Sequence, residues 1–165
     1  MRYRDCPTTE VSLLVEGATP AQVWELISDI TLPTRHSVGE LQEVRWCEGF
    51  SAPALGARFE GTNENAALGR WTTVSEIVEY EVESRWVWRV LDGEGRTMAT
   101  WGFEVEPSSR GALVRQWARM GPAPSGLTYA IEANPHLEAR IVARRLEDYR
   151  EGMTANLEQV RRELG

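Results

Sequence analysis

The residue best suited by type to proton transfer near neutral pH is His36, in the segment LPTRHSVGE at residues 32–40. It is one of only two histidines in the chain and follows a short predicted helix. An imidazole in this place could act as a catalytic base, contact a ligand at a polar entrance, or bond to the backbone of its own loop. The residue type leaves these three roles open, so the elements around it have to be considered.

The other reactive side chains do not form a recognisable metal or cofactor site. His36, His136, Cys6 and Cys47 lack the spacing of metal ligands. All 18 basic residues are arginine, which excludes Schiff-base chemistry, pyridoxal phosphate attachment and a phosphate-loop lysine. The sequence has no G-x-S-x-G motif, and the GEG at residues 93–95 is typical of a hairpin tip. We therefore expect neither a metal nor a cofactor.

The overall charge indicates which binding partners are unsuited to this protein. A formal net charge of −7 argues against a nucleic-acid surface, which needs clustered positive charge, and against attraction to an anionic membrane. The N-terminal residues MRYRDCPTTE have no apolar core of a signal peptide, and no run approaches membrane-spanning length. We expect a cytoplasmic protein, monomeric or homodimeric, in which both cysteines are reduced.

The first predicted elements are a strand and a short helix. The segment TEVSLLVEG alternates apolar and polar residues, which predicts a half-buried strand. In ATPAQVWELISDI, which follows, Thr19 and Gln22 are spaced as a capping box, and Pro20 suits the first helical position. Pro33 ends or redirects this helix. His36 is therefore predicted on the loop after it.

The middle of the chain predicts an antiparallel sheet. From residue 41 to about 120 the apolar pattern has period two and is interrupted by segments rich in Gly, Pro, Asp and Ser. It predicts six further strands near residues 41–48, 57–65, 70–80, 84–92, 97–106 and 112–120. The short separations favour hairpins between neighbouring strands.

The C-terminal segment predicts one long amphipathic helix. Asn134 can cap it, Pro135 suits its first position, and an apolar stripe runs from Leu137 to Leu164. A helix of this length spans about 45 Å, so its stripe must lie across the sheet. Residues 127–133 predict a separate helical turn before it. The charged residues between the stripe positions predict a solvent-exposed face with local ion pairs. They include Arg140, Arg144, Arg145 and Arg150.

These elements predict an α+β fold in a single domain of residues 1–165. A curved antiparallel sheet of about seven strands would wrap around the long C-terminal helix. The space between a curved sheet and one helix is a natural ligand cavity.

The chain resembles the START/Bet v 1-like superfamily, which has the helix-grip fold, and within it the polyketide cyclase/dehydrase-like proteins. The resemblance rests on VEGATPAQVWELISDI, GARFEG, WTTVSEIVEYEVESRWVWRV, WGFEVEPSSRGALV and the terminal amphipathic helix. Members bind lipids, sterols, plant hormones or polyketides in the cavity, and the resemblance implies a small hydrophobic ligand. Some members are aromatases or cyclases, in which pocket Arg, Tyr and polar residues hold a poly-β-ketone. Here WTTVSEIVEY has no arginine after Arg70, a departure from that pattern.

Strand alternation predicts which side chains face the cavity. If Phe59 and Val114 point inward, so do Asn63, Gln116 and Met120. A buried amide needs hydrogen-bond partners, so Asn63 and Gln116 predict either an internal network or a ligand contact. A β-bulge would invert the alternation.

Aromatic residues are the other predicted ligand contacts. In the strand at 41–48, Val44 would carry Gln42 and Trp46 to the same inward face. A tryptophan offers a large flat surface and one N–H donor, so stacking on a ligand and core packing are both open roles. Tyr129, just before the long helix, is predicted at one end of the cavity as a donor to a ligand carbonyl. The predicted aromatic lining consists of Trp46, Trp71, Trp88 and Trp101.

Three functions remain open at this stage. The first is binding of a small apolar ligand of aromatic, polyketide or lipid type. The second is a cofactor-free polyketide cyclase, aromatase or dehydratase, in which His36, Gln116, Tyr129 and Asn63 orient a polyketone and shuttle protons. The third is a protein-interaction module of the chaperone-activator kind, which predicts a solid interior and an exposed apolar patch. A cavity of several hundred cubic ångströms would count against the third.

Overall fold

A computed structural model describes residues 1–165 and contains seven strands and three α-helices. The predicted order of elements is confirmed, with a strand, a helix, six further strands and a long C-terminal helix. The strands are β1 (Thr8–Glu16), β2 (Leu41–Trp46), β3 (Arg58–Asn65), β4 (Gly69–Glu81), β5 (Arg85–Leu91), β6 (Thr97–Ser108) and β7 (Gly111–Met120). The helices are α1 (Pro20–Ile27), α2 (Gly126–Ala133) and α3 (Glu138–Leu164), with short 3-10 turns at Tyr3–Asp5, Leu32–Thr34 and Pro135–Leu137.

All seven strands form one antiparallel sheet in the order β1-β7-β6-β5-β4-β3-β2. From β2 to β7 each strand pairs with the next along the chain, and β1 returns to pair with β7. The register shifts once in each of the pairs β2/β3, β4/β5 and β5/β6. Such irregularities increase local twist and bending, and the sheet curls around α3. This is the predicted helix-grip architecture.

One of these irregularities changes which side chains of β2 face inward. The register shifts between Leu41 and Glu43. As a result Leu41 and Val44 both line the interior, whereas Gln42 is exposed. The prediction that Gln42 shares the inward face with Val44 was therefore wrong, because the bulge inverts the alternation before it.

Helix α1 forms as its capping residues predict and is tied to the sheet at its end. Thr19 Oγ1 accepts from the backbone N–H of Gln22 (3.2 Å), and Gln22 Oε1 accepts from the backbone N–H of Thr19 (2.9 Å). At the other end the indole N–H of Trp86 donates to the carbonyl of Ile27 (2.9 Å) in a buried hydrogen bond. The loop that carries His36 therefore starts from a fixed point.

Helix α3 is anchored in two apolar clusters and packs against β1 and β7 at one side of the sheet. In its C-terminal half, Leu157 and Val160 join the main core with α1. Nearer its start, Val142 and Leu146 pack with Tyr3 and Met120. Helix α1 packs against β6 and β7, and the space between α3 and the remaining inner faces of β3 to β6 is the predicted cavity.

The outer face of the sheet is closed by a different contact. Trp117 lies on the side opposite to the inward Gln116, and its ring covers Gly102 on β6. The guanidinium carbons of Arg85 and Arg119 lie 5.4 and 5.6 Å from the Trp117 ring. An ideal Cβ built on Gly102 would lie 2.5 Å from the indole, so only glycine fits beneath it.

We predict that Gly102→Ala lowers the free energy of unfolding by about 1 to 3 kcal/mol, the range typical of overpacking. Urea denaturation measures the loss. In a Trp117→Leu background the smaller side chain leaves room for the new methyl, and the same substitution should cost less than half as much. An equal cost in both backgrounds would contradict the packing explanation.

Candidate functional site

The space between the sheet and α3 is a cavity of about 1090 Å³. Its walls come from the inner faces of β2 to β7, one side of α3, part of α2 and the loop after α1. Two lining residues, Val38 and Leu68, are 45% and 49% exposed, which marks a mouth open to solvent. The volume is at the upper end of the range typical of small-molecule sites.

The sheet and α3 together form a continuous aromatic wall of Trp86, Trp88, Trp101 and Tyr149. Successive ring centroids lie 4.3, 6.4 and 4.7 Å apart, with Tyr149 supplied by α3. Trp88 and Trp101 are only half-buried although they stand on the inner face of central strands, because they face the cavity. An aromatic wall favours ring-shaped ligands through edge-to-face and offset contacts.

A chain of three polar side chains joins the loop, the helix and the sheet inside the cavity. His36 Nε2 lies 2.7 Å from Asn156 Oδ1, and Asn156 Nδ2 donates to Gln116 Oε1 at 3.0 Å. Asn156 and Gln116 are 5% and 1% exposed, so both amides are held within the wall. We call this set the amide chain.

The direction of each hydrogen bond in the amide chain follows from one backbone group. The N–H of Val38 donates to His36 Nδ1 (3.2 Å), and a backbone N–H has no other role than donor. Nδ1 therefore carries the lone pair, and the neutral ring carries its proton on Nε2. The Nε2–H group therefore donates a hydrogen bond to Asn156 Oδ1, and this fixes the orientation of both amides. Both nitrogens of His36 are engaged by the protein.

A partly buried ion pair closes the wall next to the mouth. Arg145 binds Glu40 through both carboxylate oxygens, with Nη2 to Oε2 at 2.8 Å. The two side chains are 15% and 22% exposed. Burial opposes the Arg145 charge, but the hydrogen bonds to Glu40 outweigh it and raise the pKa of Arg145 above its usual value. Asn65 Nδ2 also donates to Glu40 Oε1 (3.3 Å).

Tyr149, at the end of the aromatic wall, lies between Trp101 and this ion pair. The guanidinium carbon of Arg145 is 4.9 Å from the centroid of its ring. Burial raises the pKa of Tyr149, against the opposing effect of the Arg145 charge. The phenol therefore stays protonated at neutral pH and is available as a hydrogen-bond donor.

Most of the residues predicted from the sequence line the cavity, and two do not. Asn63 is already paired in the wall, since its Nδ2 donates to Thr73 Oγ1 (3.2 Å). Trp46 and Tyr129 lie outside the lining. Those on the wall are His36, Asn63, Trp71, Trp88, Trp101, Gln116 and Met120.

The positions of the two outlying residues have simple geometric reasons. Trp46 lies beyond Val44 at the end of β2 and packs edge-to-face on Phe59, with centroids 5.9 Å apart, so it belongs to the core beside the cavity. Tyr129 is 71% exposed. On α2 it is turned by about 200° from Leu127, which does line the cavity.

Three features of the site were not predicted from the sequence. Asn156 stands one turn from Met153 and Val160 in the apolar stripe, and an amide there was the available signal. Arg145 was assigned to a solvent-exposed face, which is wrong, because it shares the stripe with Ile141 and Tyr149 and binds Glu40. Glu40 itself follows a loop with no periodic pattern.

The remaining reactive groups are dispersed. No three His, Cys, Asp or Glu side chains lie together in a way that would hold a metal ion. Cys6 and Cys47 are free and half-buried. None of the helices combines the length and apolar composition needed to cross a membrane.

A family model described as "Polyketide cyclase / dehydrase and lipid transport" matches residues 7–164. Among solved structures, the Polyketide_cyc-like protein Cgl2372 from Corynebacterium glutamicum is 25% identical, with a TM-score of 0.64 over 95% of this chain and 90% of that chain. No curated protein matches the sequence.

Two further structures share the fold at lower identity. TTHA0849 from Thermus thermophilus is 13% identical, with a TM-score of 0.65 over 94% of this chain and 95% of that one. The di-domain ARO/CYC StfQ from the steffimycin biosynthetic pathway is 18% identical, with a TM-score of 0.69. The match covers 96% of this chain and 51% of StfQ, so this chain corresponds to about half of that protein.

We predict that Glu40→Gln lowers the free energy of unfolding by about 2 kcal/mol, between the values for exposed and buried ion pairs, because Arg145 keeps its charge without its partner. Urea denaturation at neutral pH measures the loss. Glu60→Gln is the matched control, since its partner Arg45 is 78% exposed, and should cost less than about 0.5 kcal/mol. Equal losses would show that the Glu40 pair has no more protection from solvent than the surface pair.

Proposed function

The chain belongs to the polyketide cyclase / dehydrase and lipid transport family, and on that premise we propose that it binds a flat, apolar, polyketide-like or aromatic molecule between its sheet and α3. The observation that carries this proposal is the aromatic wall of Trp86, Trp88, Trp101 and Tyr149 in a cavity of about 1090 Å³. Protein interiors are close-packed, and unfilled volume costs stability. A cavity of this size is better explained by an occupant than by packing.

The lining favours ring systems over simple acyl chains. Tryptophan and tyrosine are the largest side chains of the wall, and they contact one another in series from β5 to α3. A ring in contact with them gains favourable quadrupole contacts in addition to its burial, which a saturated chain does not. The aromatic wall would contact the apolar body of the ligand, and polar lining groups such as Gln116 and Arg145 would meet its hydrogen-bonding atoms.

A cofactor-free cyclase is the second candidate, and the pairing of Arg145 with Tyr149 favours it. Pocket Arg and Tyr residues are what the resemblance to cyclising members implies, and the two side chains meet at the cavity wall. In such a reaction the Tyr149 phenol would donate to a substrate carbonyl as negative charge develops on its oxygen. His36 would hold Asn156 in place, because both of its nitrogens are already engaged.

The chaperone-activator hypothesis has less support. It predicted a solid interior, and a cavity of about 1090 Å³ with an aromatic lining does not fit that expectation.

For the binding function we expect 1-aminoanthracene to bind saturably at one site, followed through its own fluorescence. Trp101→Leu should weaken binding by about three- to tenfold, the equivalent of one aromatic contact. Trp117→Leu removes a tryptophan from the outer face of the sheet and is the matched control, for which the affinity should not change. Absence of saturable binding in the unmodified protein would refute the proposed function. Native mass spectrometry of protein purified from its own host then identifies the natural occupant.

Turnover separates the two candidates. Heptane-2,4,6-trione closes to a dihydroxytoluene by forming one C–C bond with loss of water, and the aromatic product absorbs in the near ultraviolet. A cyclase should accelerate this closure above the spontaneous rate, and Tyr149→Phe should abolish the acceleration while 1-aminoanthracene still binds. A carrier should bind the probe and leave the spontaneous rate unchanged.

A further inference from the structure

The amide chain ends in a hydrogen-bond donor that has no partner in the protein. Gln116 Oε1 accepts from Asn156 Nδ2, so the free end of that amide is Nε2, which carries two N–H groups. Gln116 Nε2 makes no hydrogen bond to any protein atom. The side-chain nitrogens that are fully enclosed without a partner are Arg89 Nε and Trp117 Nε1. Gln116 Nε2 is not one of them, so it is not sealed within the wall.

The only space that this nitrogen can face is the cavity. Gln116 is 1% exposed overall and lines the cavity. Its neighbours on the inner face of β7, Val114 and Ala118, are fully buried and apolar. An amide N–H that points into a cavity without a protein acceptor has a strong need for one.

We propose that the amide chain holds Gln116 Nε2 as a fixed donor in the aromatic cavity, and that the cavity therefore selects flat ligands with a ring carbonyl. This inference rests on the proposed ligand-binding function and adds the chemical class of the ligand. A donor-only group recognises an acceptor, and a carbonyl conjugated to a ring system combines an acceptor with the flat apolar body that the tryptophans fit.

His36 is a positioning residue in this account. A free glutamine amide can rotate by 180° and present its oxygen instead of its nitrogen at nearly equal cost. The order Val38 N–H, His36, Asn156, Gln116 removes that freedom, because each member accepts from the one before and donates to the next. Loss of any middle member should leave Gln116 in place but let its amide turn over.

The test is competition by 9-fluorenone and by fluorene against 1-aminoanthracene. The two competitors have the same tricyclic shape, and only fluorenone has a carbonyl. Since fluorene is the more apolar, the informative quantity is the change in their relative affinity between variants. In the unmodified protein the preference for fluorenone should exceed that in Gln116→Leu by about three- to tenfold, as one hydrogen bond predicts.

Variants of the other members test the positioning role. Asn156→Leu and His36→Ala should lose most of the same preference while fluorene still binds, which shows that the cavity is intact. His36→Gln should restore it in part, because a glutamine amide can replace Nε2 as the donor to Asn156. His136→Ala is the matched control at the other histidine, which is exposed and outside the cavity, and should leave the preference unchanged.

The results distinguish the inference from the function on which it rests. If 1-aminoanthracene does not bind, the proposed function is wrong and the inference is overturned with it. If the probe binds but the preference for fluorenone is the same in the unmodified protein and in Gln116→Leu, the ligand-binding function stands and the donor assignment is wrong. A preference lost in Gln116→Leu but kept in His36→Ala and Asn156→Leu would overturn the positioning role.

Discussion

The structure depends on the mismatch between one helix and a seven-stranded sheet. Strands spaced by about 4.8 Å make such a sheet about 29 Å wide, whereas a helix with its side chains covers about 10 to 12 Å. Helix α3 covers β1 and β7, and α1 helps at one end. Curvature brings the other strands round toward α3, and long side chains such as Tyr149 and Trp101 make the contact there, with ring centroids 4.7 Å apart. Much of the inner face of β3 to β6 therefore borders the cavity, and large aromatic side chains there reduce the gap without filling it.

The same geometry separates the chemistry of the two walls. Side chains on one face alternate along a strand and lie beside those of the next strand. Trp86 and Trp88 on β5 and Trp101 on β6 therefore form an uninterrupted aromatic surface. Helix α3 presents fewer side chains, and the loop after α1 approaches it closely, where Gly39 and Gly152 meet backbone to backbone. That approach brings loop and helix polar groups within bonding distance. Two polar contacts of the cavity form at this seam, His36 with Asn156 and Glu40 with Arg145.

Alternation along strands was sufficient to predict the sheet face of the cavity, and helical periodicity was sufficient to predict α3. Strand alternation failed at Gln42, where a bulge interrupts the repeat. Helical periodicity failed at Tyr129, because α2 is too short to show a clear apolar stripe. Ion pairs and hydrogen bonds between elements distant in the sequence could not be predicted, for a different reason. Nothing in the sequence relates Glu40 to Arg145, because a loop of irregular conformation determines which turn of the helix it meets.

The amide chain shows how geometry adds to what residue type alone says about His36. A histidine beside a cavity suggests a base, and a base needs a free lone pair that points toward the substrate. Here the Nδ1 lone pair accepts a hydrogen bond from the N–H of Val38, and the Nε2–H group donates one to Asn156. A group with both nitrogens committed cannot exchange a proton without breaking one of these bonds. His36 can, however, determine the direction of the next hydrogen bonds. Because the backbone N–H of Val38 can only donate, it fixes which atom donates and which accepts in each later bond of the chain. The imidazole of His36 matters here because it accepts at one nitrogen and donates at the other. In this way the donor N–H of Val38 fixes the orientation of the buried Gln116 amide.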